Sequence, residues 1–318
     1  MKKILVVGSL NMDYVLQTER LPMKGETLPA KDFLMVHGGK GMNQSVAIKR
    51  LGSNPILIGC LGKDKDGDTL VQGLKDESIQ TAWIARTEEM KTGIAFITVS
   101  DNGENTIVVH PGSNHALNGK WVLEAIREHS DAHLLVLQME IPYDVIISTI
   151  DEAFNRNIPV ILNPSPFKAI PKTSFQKVHT LIVNEVEAKQ IAESIDEKSI
   201  LSDGRKNHPE ALIEFLVKQK IPRVILTMGD QGVYYNHDQN SEEDPLILHR
   251  SAKKVKVVDS TAAGDSFLGA YVAGQSIGYT LDQSVSYGIH AGALAVTKSG
   301  AQPSIPSKKD LIDFGWRD

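Results

Sequence analysis

Residues 259–270, DSTAAGDSFLGA, join a carboxylate to a stretch of backbone that small side chains leave bare. Ala262, Ala263 and Gly264 precede an apolar run with helical spacing. The unpaired N–H groups of such a helix start, with their partial positive charge, attract an anion. Asp265 falls in the first turn, where the same dipole favours its ionised form. An anion cradle beside a carboxylate suits phosphoryl transfer. The N–H groups stabilise charge on the moving phosphoryl group while the carboxylate accepts the proton of an attacking hydroxyl. The same residues would also serve as a plain helix cap and a close packing contact.

A second segment, HGGKGMNQSVAIKRLG at 37–52, sets Gly38, Gly39 and Gly41 before another helical pattern. It is not a Walker A loop, because Gly41 rather than Ser or Thr follows Lys40, and it lacks G-x-G-x-x-G spacing. Lys40 and Asn43 beside bare backbone suit the holding of hydroxyls, although an ordinary strand–helix turn with a solvent-facing lysine would look similar. Further polar residues close apolar runs: Asn11 and Asp13 after KILVVG, Glu140 after LLVLQM, Asn163, Asn184 and Thr227. Each alone fits a turn or cap. In open α/β sheets, however, ligands bind beyond the carboxyl ends of the strands, and all of these sit at such ends.

The elements that would position them alternate. Strand-like runs at 3–8, 55–60, 134–138, 158–163, 180–184 and 224–229 are separated by helical patterns at 41–51, 66–77, 119–129, 143–156, 185–193 and 209–219. This rhythm predicts one α/β domain over 1–318 with a mainly parallel sheet covered on both faces by helices. Residues 11–37 and 92–110 break the rhythm; TGIAFITVS and TIVVH flank a DNGEN turn, a hairpin signal. We read both regions as a small β-lid over the site, whose exposed strands favour a homodimer. Polar stretches at 195–208 and 237–245 read as surface loops.

Composition narrows the partners. A net charge of -5 with scattered Lys and Arg offers no basic face for nucleic acid. Cys60 stands alone, so neither an intrachain disulfide nor a thiolate metal site is available. No apolar stretch is as long as a membrane span, and the start lacks a secretory pattern, so the expectation is a cytoplasmic protein without a membrane partner. His129 and His133 stand i, i+4 but lack a third ligand.

The pair GGKGMNQ and DSTAAGD, roughly 220 residues apart, resembles the ribokinase branch of the PfkB-type carbohydrate kinases, and the likeness runs from GSLNMD to GAQPSIP. It implies a ribokinase-like fold and transfer of the γ-phosphate of ATP to O5 of D-ribose. Asp265 would be the catalytic base and Ala262, Ala263 and Gly264 the anion hole. Asn11, Asp13, Gly39, Lys40, Asn43 and Glu140 would contact the sugar together with Asp265. Asn184 and Glu187, in NEVE, match an N-x-x-E element near the phosphates, the glutamate orienting the water shell of Mg²⁺. Thr227, Gly229 and Gly232 match the nucleotide-side loop with Gly264, and His290 a position near the adenine. An activating monovalent cation, K⁺, would be held at Asp259, Thr261, Ala295, Lys298, Gly300 and Ser304, mostly by carbonyls.

Met42, Ser45, Lys49 and Ser165 depart from the small residues usual in the family, and Met42 adjoins the sugar set. The substrate could therefore be 2-deoxyribose, another pentose, a hexose or a nucleoside. A silent sugar-sensing protein on the same scaffold would be marked by loss of Asp265 or of 262–264, and these are intact.

Overall fold

Strands covered by helices on both sides read as unbroken apolar runs, because each successive side chain meets a packed layer. Such runs become β1 (Lys3–Val7), β4 (Asn54–Gly62), β8 (Leu134–Gln138), β9 (Val160–Asn163), β10 (Thr180–Asn184) and β11 (Arg223–Thr227). The computed structural model describes residues 2–195, 208–237 and 245–317. With β5 (Ile84–Thr87), β12 (Val233–Asn236) and β13 (Ile247–Arg250), these strands form a sheet, nine-stranded among the described residues. Its order is β13-β12-β11-β10-β9-β8-β1-β4-β5. Pairing is parallel from β11 to β5, and β12 and β13 add an antiparallel edge.

Alternate residues of β1 serve two cores. Leu5 and Val7 pack with α3 (Gly119–Glu128), α4 (Tyr143–Asn155), α5 (Lys172–Phe175), α6 (Glu185–Ile195) and α7 (Pro209–Lys218). Ile4 and Val6 pack with α1 (Lys40–Arg50), α2 (Lys65–Asp76), α8 (Ala263–Ile277), α9 (Leu281–Ala295) and α11 (Lys308–Asp313). A short α10 (Ala301–Ser304) precedes α11. Among the described residues no helix is long and apolar enough to cross a membrane. The chain leaves β1 for β4 on one side and returns to β8 on the other. That reversal of strand order opens a crevice at the carboxyl ends of β1 and β8.

A second sheet stands apart. Its strands are β2 (Asn11–Thr18), β3 (Asp32–Gly38), β6 (Gly93–Ser100) and β7 (Asn105–His110), in the order β3-β2-β6-β7. The outer pairs are antiparallel and β2 runs parallel to β6. Tyr14 donates its hydroxyl to Asp66 of α2 at 2.8 Å, and His37 Nδ1 lies 2.8 Å from Gln302 Oε1 of α10. These contacts tie the sheet to the body beside the crevice. Of the polar stretches at 195–208 and 237–245, all but the end residues lie outside the described residues.

Candidate active site

The start of α8 is built around an unusual residue. Ala262 is the N-cap and adopts the left-handed region, φ 58° and ψ 11°, a conformation that disfavours a residue bearing a Cβ. Asp259 fixes the preceding turn: Oδ1 accepts from the Thr261 N–H at 2.9 Å and the Thr261 hydroxyl at 2.6 Å, and Oδ2 accepts from the Gly300 N–H at 2.8 Å. No side chain caps the helix. The N–H of Ser266 makes the first helical bond, to Ala262 O at 2.8 Å, and a Cβ added at Gly264 would meet nothing within 4 Å. The Ala263 N–H donates to Ser260 O at 3.3 Å, so the open part of the first turn is at Gly264, a bare helix start of the kind an anion favours.

Asp265 follows in that turn with only 8% of its surface exposed. Asn43 Nδ2 donates to its Oδ2 at 3.1 Å and Gln44 Nε2 to its Oδ1 at 2.9 Å. Both donors sit at the start of α1, which can come this close because glycines line the junction. Gly39, the N-cap, has φ 85°, and a Cβ there would lie 2.8 Å from the Asn11 N. At Gly41 a Cβ would lie 2.6 Å from the Gly8 carbonyl carbon. The pattern GGKG is therefore a demand for close backbone approach between α1 and the turn after β1. Among the described residues Asn43 Oδ1 is buried without a hydrogen-bond partner, leaving an acceptor for a ligand hydroxyl.

Around this pair the strand ends converge. Asn11 Oδ1 accepts from Asn114 Nδ2 at 2.7 Å, and Asn114 also bonds the Leu10 backbone on both sides, at 2.9 and 3.1 Å. Asp13 lies against Gly38, where a Cβ would come 2.1 Å from Oδ2. Glu140 accepts from the Ser9 hydroxyl and, at 3.2 Å, from the Lys40 N–H. Burial, reinforced by Glu140 and then Asp265, pushes the Asp13 carboxyl up to about 7. Burial opposes the charge on Lys40, but Asp265, Glu140 and Glu187 together outweigh it and hold its pKa above the ordinary value. The site is thus a carboxylate-rich pocket with one ammonium among its acids, suited to a polyhydroxylated ligand and to a proton acceptor.

Asn184 and Glu187 bond reciprocally: the Glu187 N–H donates to Asn184 Oδ1 at 2.8 Å and the Asn184 N–H to Glu187 Oε2 at 3.0 Å. This is a capping box for α6, legible in the N-x-x-E spacing. Thr227 donates to Val183 O at 3.2 Å, binding two strand ends. Gly229 and Gly232 have φ 58° and 98°, and a Cβ at Gly232 would lie 2.1 Å from Arg250 O. His290 donates from Nδ1 to Ser286 O at 2.8 Å and lies edge-on to Trp316 and Phe314. Burial lowers its pKa, and Lys253 adds to the effect. Ala295 O accepts from the Lys298 N–H at 3.1 Å, the adjoining Val296 O accepts from the Asp259 N–H at 3.2 Å, and the Ser304 hydroxyl donates to Ala301 O at 2.8 Å.

Met42, expected beside the sugar contacts, is fully buried in the apolar layer beneath α1. His129 accepts from Trp83 Nε1 at 3.0 Å and His133 lies against Lys2, and the described residues contain no cluster of three His, Cys, Asp or Glu fit for a metal. Sequence reading passed over Ser9, Gln44, Asn114 and Gln138. Gln44 stands beside Asn43 in a helix that should be turning apolar, and Gln138 ends an otherwise apolar strand; Ser9 and Asn114 carry no such signal.

Residues 1–308 match the model of the pfkB family carbohydrate kinases, and the chain belongs to that family. Among its relatives, the ribokinase of Staphylococcus aureus is 33% identical over 313 residues, spanning 97% of this chain and 98% of that protein. The crystal structure of a ribokinase from Thermotoga maritima superposes with a TM-score of 0.84 at 32% identity, covering 99% of both chains. An Arabidopsis thaliana ribokinase complexed with ribose and ATP gives 0.83 at 25% identity over 98% of both.

Proposed function

We propose that the enzyme is a ribokinase, transferring the γ-phosphate of ATP to O5 of D-ribose to give ribose 5-phosphate and ADP. The observation that carries the reading is the junction of α8 with α1. There a buried carboxylate, clamped by two amides, stands one residue after an uncapped, sterically open helix start.

In this reading Asn11, Asp13, Gly39, Lys40, Asn43 and Glu140 bind the sugar, and the free acceptor of Asn43 takes one of its hydroxyls. Asp265 accepts the O5 proton. A carboxylate is a weak base for an alcohol, so the proton leaves as the bond to the ADP oxygen weakens, and alignment with charge stabilisation supplies most of the acceleration. Ala262, Ala263 and Gly264 form the anion hole, and Thr227, Gly229, Gly232 and His290 border the nucleotide. Asn184 occupies one oxygen of Glu187, whose other oxygen suits a water of a magnesium shell. The oxygens of Thr261, Ala295, Lys298, Gly300 and Ser304, with Asp259, are hard donors of the kind that suits K⁺, and Asp259 bonds the N–H groups of Thr261 and Gly300. When bound, Mg²⁺ would neutralise phosphate charge, and a monovalent cation at the Asp259 set would add positive charge beside the turn before α8. With ATP as co-substrate, we place the enzyme in the cytoplasm. Phosphate-transfer NMR tests the regiochemistry: a ribose 5-phosphate resonance is expected, and phosphate appearing only as free inorganic phosphate would contradict the assignment.

The second sheet acts as a lid over the sugar and as a dimer surface. Phe33, Phe96 and Val108 are 50%, 51% and 69% exposed, and Tyr14 stacks on both phenylalanines. Phe96 and Val108 are cross-strand partners, so the patch is continuous. A second copy of the chain is its natural cover. Phe96→Lys with Val108→Lys is expected to convert a dimer to a monomer in light scattering and to raise KM for ribose. A dimer that survives both charges would place the interface elsewhere.

A further inference from the structure

Two buried glutamines are left over by this chemistry. Gln44 and Gln138 are each 0% exposed, and Gln138 interrupts an apolar strand at its last residue. Burying an uncharged amide is unfavourable unless its polar atoms are bonded. Gln138 Oε1 nevertheless has no partner among the described residues, and Gly8 must lack a side chain because a Cβ there would lie 2.0 Å from that oxygen. Packing alone gives no reason to hold such a group.

The bonds that are made supply one. Gln138 Nε2 donates to Gln44 Oε1 at 2.7 Å, and Gln44 Nε2 donates to Asp265 Oδ1 at 2.9 Å. An amide can present either end, and its oxygen end would repel a carboxylate. By engaging Gln44 Oε1 with a donor, Gln138 turns the NH₂ end toward Asp265. Asn163 Oδ1, 3.4 Å from Gln44 Nε2 and itself fixed by a bond from its Nδ2 to Ile182 O at 3.1 Å, supports the same orientation. Asn43 holds the other carboxylate oxygen, but its side chain must also answer to the sugar. Gln44 is the restraint that does not.

We propose that Gln138 and Gln44 form a positioning relay, running from the end of β8 through α1, that orients the Asp265 carboxylate toward the attacking hydroxyl. The inference rests on Asp265 serving as the base. Neither glutamine touches substrate or phosphate in this role; both act through Asp265. The charged groups that share the pocket are Lys40 from α1, Asp13 from β2, Glu140 after β8 and Glu187 from α6, and replacing Gln138 leaves all four in place.

The test compares kcat and KM for ribose for the native protein, Gln44→Met and Gln138→Leu, each also made in the Asp265→Asn background. Gln44→Met is expected to lower kcat about 10–100-fold and Gln138→Leu about 3–10-fold, with KM changed by less than about twofold. In the Asp265→Asn background neither replacement should lower kcat further, because the relay acts only through that carboxylate. A structural role alone would lower melting temperature and reduce kcat alike in both backgrounds, and that result, or a loss confined to KM, overturns the relay. Should Gln44→Met fail to fold, Gln138→Leu decides, since its side chain lies beyond the bond to Asp265. Near-normal turnover in Asp265→Asn would remove the base assignment itself, an outcome distinct from failure of the relay.

Discussion

Asp265→Asn is expected to lower kcat by about 10²–10⁴-fold, the usual contribution of a general base, with little change in sugar affinity. The substitution keeps size and one acceptor oxygen but cannot take a proton. It also sets an NH₂ group against the donors of Asn43 or Gln44, which now hold the two carboxylate oxygens at 3.1 and 2.9 Å. The fold should survive, because a neutral residue relieves the repulsion from Asp13, while the lost attraction to Lys40 and the donor facing the new NH₂ group oppose that gain. Melting temperature should therefore change little. Turnover within tenfold of normal would show that alignment and the anion hole suffice without a proton acceptor at this position.

The second large effect belongs to Asp13, and its sign is opposite for stability and for function. Burial, with Glu140 and Asp265 nearby, pushes its carboxyl from the ordinary 3.8 up to about 7 in the folded protein. Below about 4 both states are protonated and the residue contributes nothing. As pH rises from about 4 to about 7 the unfolded chain ionises while the folded one keeps its proton, so stability falls across that window and levels off above it. The full penalty is on the order of 4 kcal/mol above pH 7. Asp13→Asn should remove it, raising the melting temperature at pH 8 clearly more than at pH 5, while weakening ribose binding about 100-fold through loss of a charged acceptor. Equal stabilisation at both pH values, or none at pH 8, would mean that Asp13 is not the strained group. The site is thus held at a cost in stability that bound sugar offsets by offering hydroxyl donors to the carboxylate.

The sequence yielded the main sheet because its strands announce themselves. LLVLQ and TLIVN carry unbroken apolar runs, closed by Gln138 and Asn184, and became β8 and β10 over those same residues. The hairpin at 92–110 was legible for a different reason, since period-two alternation around DNGEN has no helical reading. β5, with only IART, and the edge strands β12 and β13 are short and partly exposed, so neither run length nor alternation marks them. Within the site, the glycines and Asp265 were readable because steric demand and a helix start leave local traces. The Asn114–Asn11 bond joins residues 103 apart, and the Gln138–Gln44 bond residues 94 apart. Long-range amide pairs of this kind follow from topology and leave no spacing to read. The NEVE segment shows the reverse: one local spacing serves as both a helix cap and a family motif, and the reciprocal Asn184–Glu187 bonds form the capping half.

The most direct test of the account is release of ADP from Mg-ATP with D-ribose, 2-deoxyribose, fructose or adenosine as acceptor, each in K⁺ and in Na⁺. The account predicts strongest turnover on ribose, increased by K⁺ over Na⁺. No turnover on any acceptor, with ribose binding still measurable, would contradict it and leave a sugar-binding protein on a kinase scaffold.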